Sequence, residues 1–148
     1  MRAIELIVIH CSATRADSDF SARDVDTAHR FRGFSSGGYH YYIRKSGEVE
    51  PMRPEDTPGA HARGYNAVSV GVCYEGGLDA NGRPADTRTP HQRRALHTLV
   101  GELLQRYPDA QVLGHRDLSP DSNYNGIVDP WERIKECPCF EVKAEVWE

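Results

Sequence analysis

No apolar run near the start of the chain is long enough to cross a membrane or to form the core of a secretory signal. The longest early run, Leu6 to Ile9, is four residues with Glu5 just ahead of it, against the roughly 20 that a transmembrane helix needs. A protein made and folded in a cytoplasm, without a signal peptide, is the expectation. Cysteine is also scarce, at four residues: Cys11, Cys73, Cys137 and Cys139. Without a secretory signal, so few thiols argue against a disulfide framework and for reduced cysteines, used as small buried hydrophobes or as thiolates. Cys73, inside an apolar strand pattern, reads as the former. Positive charge is not in excess, with 18 Lys and Arg against 22 Asp and Glu and a formal charge of −4. No field therefore draws the chain toward nucleic acid or anionic lipid. Nine prolines, 39% hydrophobic and 27% charged residues exclude a disordered or fibrous chain.

What is present is enough for one core. The 148 residues fit a single domain, and a chain of about 150 buries roughly 68–70% of its unfolded surface, so no metal or cross-link is needed for stability. Residues 4–9 (IELIVI) predict a strand buried on both faces, with His10 at its carboxyl end. Ser21 and Asp24 predict the start of a short helix in which Val25, Ala28 and Phe31 recur at helical spacing. Gly37-Gly38 opens two β-rich runs joined by a Lys45-Ser46-Gly47 turn, with Tyr39, Tyr41 and Ile43 on one face and His40 on the other. Val68, Val70 and Val72 alternate as a strand, and residues 90–106 predict a helix with Thr89 as N-cap, Pro90 at its first position and Gln92 closing a capping box. AQVL (110–113) predicts a last short strand followed by Gly114-His115, and WERIKE (131–136) a short helix. The tail FEVKAEVW is ambiguous between helix and strand. The order βαββ…βαβ predicts an α/β, mixed α+β fold: a central mixed β-sheet flanked by helices.

Open α/β sheets bind ligands beyond the carboxyl ends of their strands, which singles out His10 and His115. Two neutral imidazoles and a thiolate give zinc three protein ligands and leave one position for catalysis. Cys137 is the candidate third ligand and Cys139 its rival. Spacing alone is weak support for this trio, since no H-E-x-x-H or paired C-x-x-C motif accompanies it, and two hydrogen-bonded strand-end histidines are the more ordinary explanation. His29, His91 and His97, on helices with polar neighbours, read as solvated, Arg63 as a loop cation, and Cys11 as facing away from the metal.

Several segments in order, IHCSAT (9–14), GGYHYYIRKSGEVE (37–50), GAHARGYNAVSVGVCYEGG (59–77), the helix TPHQRRALHTLVGELLQRYP (89–108), GHRDLSP (114–120) and KECPCF (135–140), resemble the zinc-dependent N-acetylmuramoyl-L-alanine amidases of the phage-lysozyme and peptidoglycan-recognition type. The resemblance covers nearly the whole chain and implies one catalytic domain over 1–148. It implies that His10, His115 and Cys137, the cysteine that precedes proline, bind zinc, that Tyr39 and Lys135 are catalytic, and that His61 and Asn66 lie in the substrate groove. The implied reaction is hydrolysis of the amide between N-acetylmuramic acid and L-alanine of peptidoglycan, on the cell wall after release. The expected partner is peptidoglycan, with no nucleic acid, no membrane and a monomeric chain.

One segment departs from the family. In its short phage members the second histidine and the cysteine are close, whereas here 21 residues separate His115 from Cys137, which predicts an inserted loop at about 119–133. DSNYNGIVDPWE (121–132) fits a calcium-loop pattern with Asp121, Asn123, Asn125, the Ile127 carbonyl, Asp129 and Glu132 in ligand register. A metal-free Asn/Asp/Gly turn explains it equally well. Two other readings of the whole chain stand beside the amidase: a non-catalytic peptidoglycan-binding module using the same groove, from which relatives lose the cysteine, and a structural zinc staple, which normally has four protein ligands.

Overall fold

The computed structural model describes residues 2–119 and 136–147; the expected 131–136 helix except Glu136, the calcium-loop residues and Lys135 lie outside them. Among the described residues there are seven strands and two α-helices, and five of the strands and both helices follow the predicted order. Strand β1 (Leu6–Cys11) lies inside the sheet, parallel to β5 (Ser69–Tyr74) on one side and to β7 (Gln111–Gly114) on the other. β3 (Tyr41–Ile43) runs parallel to β5 and pairs antiparallel with β4 (Val49–Pro51), giving the mixed order β4-β3-β5-β1-β7. The two-residue pair β2 (Thr14–Arg15) and β6 (Gly77–Leu78) stands apart and carries no hydrophobic signature.

β1 starts and ends two residues later than its apolar run suggests, because pairing with β5 continues through His10 and Cys11. Its alternation divides the protein. Ile7, Ile9 and Cys11 join Val70, Val72 and Tyr74 of β5 in the larger core, while His10 belongs to the other face. That larger core is closed by α2 (Pro90–Arg106), whose Leu96, Leu99, Val100 and Leu103 are buried. Thr89 and Gln92 form the predicted capping box, and the Gln92 amide also donates to the Ile43 and Glu75 carbonyls. The cap therefore fixes the helix to two strands at once.

On the opposite face lies α1 (Ala22–Phe31), capped as predicted by Ser21 and Asp24. Its apolar stripe is shorter than expected. Val25 is buried with Tyr42 and Cys73, but Phe31 is 93% exposed, since the helix covers only one edge of this face. The loop leading into α1 is tied to the sheet by Glu75, a carboxylate 1% exposed. It accepts from the Phe20 and Lys45 amides and from Arg44 Nε at 2.8 Å. Removing one partner of a buried ion pair leaves the other uncompensated. Glu75→Ala is expected to destabilise the fold by roughly 3 kcal/mol, read as a lowered denaturant midpoint; a change below about 0.5 kcal/mol, typical of surface sites, would contradict this role.

The tail forms neither helix nor strand. A short 3-10 turn, Val142–Ala144, brings Phe140, Val142 and Trp147 into the α2 core. The Arg88 guanidinium lies 3.4 Å from the Phe140 ring centre and pairs with Asp86 and Glu145, while His97 stacks on Trp147 at 4.3 Å. His97 is thus an anchor for the tail, not a solvated residue.

Candidate active site

Parallel strands β1 and β7 deliver the two histidines to one edge. His10 is the penultimate residue of β1 and 2% exposed, and His115 opens a 3-10 turn directly after β7. Their ring centres are 4.6 Å apart. The C-terminal segment brings Cys137 to them across a long sequence distance, and local packing explains the motif residues beside each ligand. A Cβ on Gly114 would come within 2.7 Å of the Pro138 ring, so the glycine before His115 makes room for the proline after Cys137. The Arg116 amide donates to the Cys137 carbonyl at 2.9 Å, and Tyr74 Oη donates to the Pro138 carbonyl at 2.6 Å.

The result is a cluster in which one ligand atom from each of His10, His115 and Cys137 lies within 4.8 Å of the other two. Tetrahedral zinc with these donors needs separations of about 3.4–3.6 Å, a contraction that small side-chain rotations supply. Cys137 Sγ also accepts from the Cys11 amide at 3.1 Å, which fixes the sulfur beside the end of β1. The donor set and its spacing fit zinc. Cys139 does not share the cluster. Its thiol contacts Cys11 Sγ at 4.0 Å and donates to the Gly77 carbonyl at 3.3 Å. The contact with Cys11, then burial, pushes its pKa up and keeps it a thiol. Cys11 itself is pushed up to about 12, chiefly by Cys137, and its side chain joins the larger core.

The cluster opens on a pocket lined also by Tyr39, His29, His61, Arg32 and Phe34. Tyr39 is 5.1 Å from His10 between ring centres. It lies ahead of β3 and packs with Tyr42 and Cys73, not on the face of Tyr41 and Ile43, because regular alternation begins only where the strand does. Burial, then nearby thiols, raises its pKa well above the usual phenol range, so it is a neutral O–H. His61, 9% exposed, is lowered to about 3 by burial first and neighbouring cationic groups second. Asn66 shapes the loop that carries it, its Oδ1 accepting from the His61 and Ala62 amides at 2.9 Å each.

One lining residue escaped the sequence reading. His29 was expected in solvent, but its Nδ1 accepts from the Gly38 amide at 2.7 Å and its ring sits 5.3 Å from Tyr39. The signal that could have located it is its place one residue from Ala28 and three before Arg32, the α1 face that lines the pocket.

Two histidines and a cysteine sulfur at an open pocket, beyond the ends of parallel strands, could hold a metal ion and leave a position open, as hydrolytic centres do and structural ones do not. The comparisons make the class specific. The chain belongs to the N-acetylmuramoyl-L-alanine amidase family, whose profile matches residues 1–138. It is 40% identical over 137 residues to an endolysin of Klebsiella phage KP32, covering 93% of this chain and 82% of that one. An endolysin of Escherichia phage T7 is 35% identical over 139 residues, covering 94% and 83%. Among solved structures, the N-acetylmuramoyl-L-alanine amidase LysC from Clostridium intestinale aligns with a TM-score of 0.72 at 31% identity, covering 93% of this chain and 77% of that one. The chain is accordingly an amidase acting on peptidoglycan.

Proposed function

We propose that the chain uses a zinc ion held by His10, His115 and Cys137 to hydrolyse the amide between N-acetylmuramic acid and the first alanine of the stem peptide, as one catalytic unit acting on the cell wall after release. The observation that carries this is the convergence of the three ligand atoms within 4.8 Å beside a neutral tyrosine. Zinc bound there supplies Lewis acidity, which lowers the pKa of water to about 7 and polarises a carbonyl. The remaining work falls to the chain. Tyr39, a neutral donor at the pocket floor, hydrogen-bonds the oxygen on which charge develops and passes a proton toward the leaving amine. Lys135, two residues before Cys137 in sequence, supplies a cation for the same developing charge. His61 lines the pocket beside the metal cluster, on a loop that Asn66 holds in shape. No helix among the described residues is long and apolar enough to cross a membrane.

The test is mass spectrometry of purified peptidoglycan after digestion. Free stem peptides that begin with alanine are expected, at a yield that follows added zinc. Products cut only within the glycan or the cross-bridge would refute the bond assignment. Binding to the sacculus with no release at all would favour the non-catalytic module.

A further inference from the structure

His61 stands between the metal cluster and the sheet. Its Nδ1 lies 2.8 Å from His10 Nε2, with the two rings nearly perpendicular at 88°, and its Nε2 lies 3.1 Å from Ser69 Oγ. His10, His61 and Ser69 are all buried. The sheet is cut away for this ring. A Cβ on Gly71 of β5 would come within 2.7 Å of the imidazole, and one on Gly59 within 2.6 Å, so two glycines hold the space that His61 fills.

A hydrogen-bonded chain of two neutral imidazoles and a hydroxyl has two polarities. If Ser69 donates to His61, then His61 donates from Nδ1 to His10 Nε2, and His10 carries its proton on Nδ1, leaving neither ring nitrogen to ligate a metal. In the reverse polarity His10 Nε2–H donates to His61 Nδ1, His61 Nε2–H donates to Ser69 Oγ, and His10 Nδ1 carries no proton, as a metal ligand requires. We infer that His61 is a positioning residue that, with Ser69, holds His10 as the Nε2–H tautomer and so presents its Nδ1 to the metal. Both ring nitrogens of His61 are consumed in this, so its imidazole contributes preorganisation to the ligand set and no hydrogen bond to the stem peptide. Partners of this kind orient a ligating histidine, and losing one typically weakens metal binding about 10–100-fold.

The inference rests on the reading of His10 as a zinc ligand, and the experiment separates the two. Zinc affinity is measured by competition with a chromophoric chelator on purified full-length protein, and the His10 tautomer of metal-free protein by nitrogen NMR. His61→Phe is expected to weaken zinc about 10–100-fold, and His61→Asn, whose Oδ1 approximates the position of Nδ1, to recover most of that. In zinc-saturated His61→Asn the KM should stay within about twofold of the parent. The parent should show His10 protonated on Nε2. Unchanged zinc affinity in His61→Phe, or a His10 proton on Nδ1 in the parent, overturns the inference, as does a raised KM with zinc binding intact. If His61→Phe does not fold, the tautomer and the His61→Asn affinity decide. A parent that binds no zinc, or binds it equally well as His10→Ala, sinks the reading of the site itself.

Discussion

Replacing Cys137 by serine is expected to strip the protein of zinc and reduce hydrolysis to background, a loss of at least about 10³-fold, since Lewis acidity at the reacting carbonyl is worth several kcal/mol. The cause is the donor atom. Serine keeps the size of the side chain but offers a neutral hydroxyl that does not ionise near neutral pH, so the cluster loses its only anionic ligand. The Cys11 amide that donates to Cys137 Sγ at 3.1 Å would then face a weaker acceptor. Cys139→Ser is the matched control. Its thiol donates to the Gly77 carbonyl at 3.3 Å, a bond that a hydroxyl reproduces, so zinc content and turnover should stay close to those of the parent. Metal analysis and turnover on both variants check the pair. Loss in Cys139→Ser with retention in Cys137→Ser would reassign the ligand.

Tyr39→Phe is expected to lower kcat by about 10²–10³-fold while leaving zinc content unchanged, because only the hydroxyl is removed and a positioned proton donor contributes about 10²–10⁴-fold. The ring that packs 5.1 Å from His10 and 5.3 Å from His29 stays in place. Since burial raises the Tyr39 pKa well above its ordinary range, the phenol remains protonated throughout the neutral and mildly alkaline range. The alkaline limb of the pH–rate profile should therefore have the same midpoint in parent and variant, with only the height lowered. A kcat within about threefold of the parent would remove Tyr39 from the chemistry, and a loss of zinc would make it a packing residue instead.

Helix α2 was legible in the sequence because its signals are local. Pro90, the Thr89–Gln92 box and a leucine stripe act within a few residues of one another, and each one reappears in the structure. The same holds for the α1 cap at Ser21 and Asp24 and for the hairpin turn, where the Gly47 amide donates to the Arg44 carbonyl. Where cues were non-local, reading along the chain stopped short. β1 extended beyond its apolar run because β5 pairs with it through Cys11. The tail's alternation pointed to no single element, and it is fixed by Trp147 and Phe140 entering the α2 core. Tyr39 left its expected face because a side chain's direction depends on where the strand begins.

The histidines and Cys137 could be nominated from the sequence alone, since their residue types and the segments around them carry the chemistry of a hydrolytic zinc site. Sequence could not exclude Cys139, two residues away, because a choice between neighbouring thiols depends on which one the backbone aims at the two imidazoles. The fold places the Cys137 sulfur with the two imidazoles, packing Pro138 against Gly114 and turning Cys139 toward Gly77. It also decided that His29 lines the pocket and that both nitrogens of His61 are engaged by His10 and Ser69. The physical reason is the same in each case. Residue type determines what a group can bind or donate, whereas contacts between separate elements of the fold determine what it meets, and those contacts exist only once the elements have packed together.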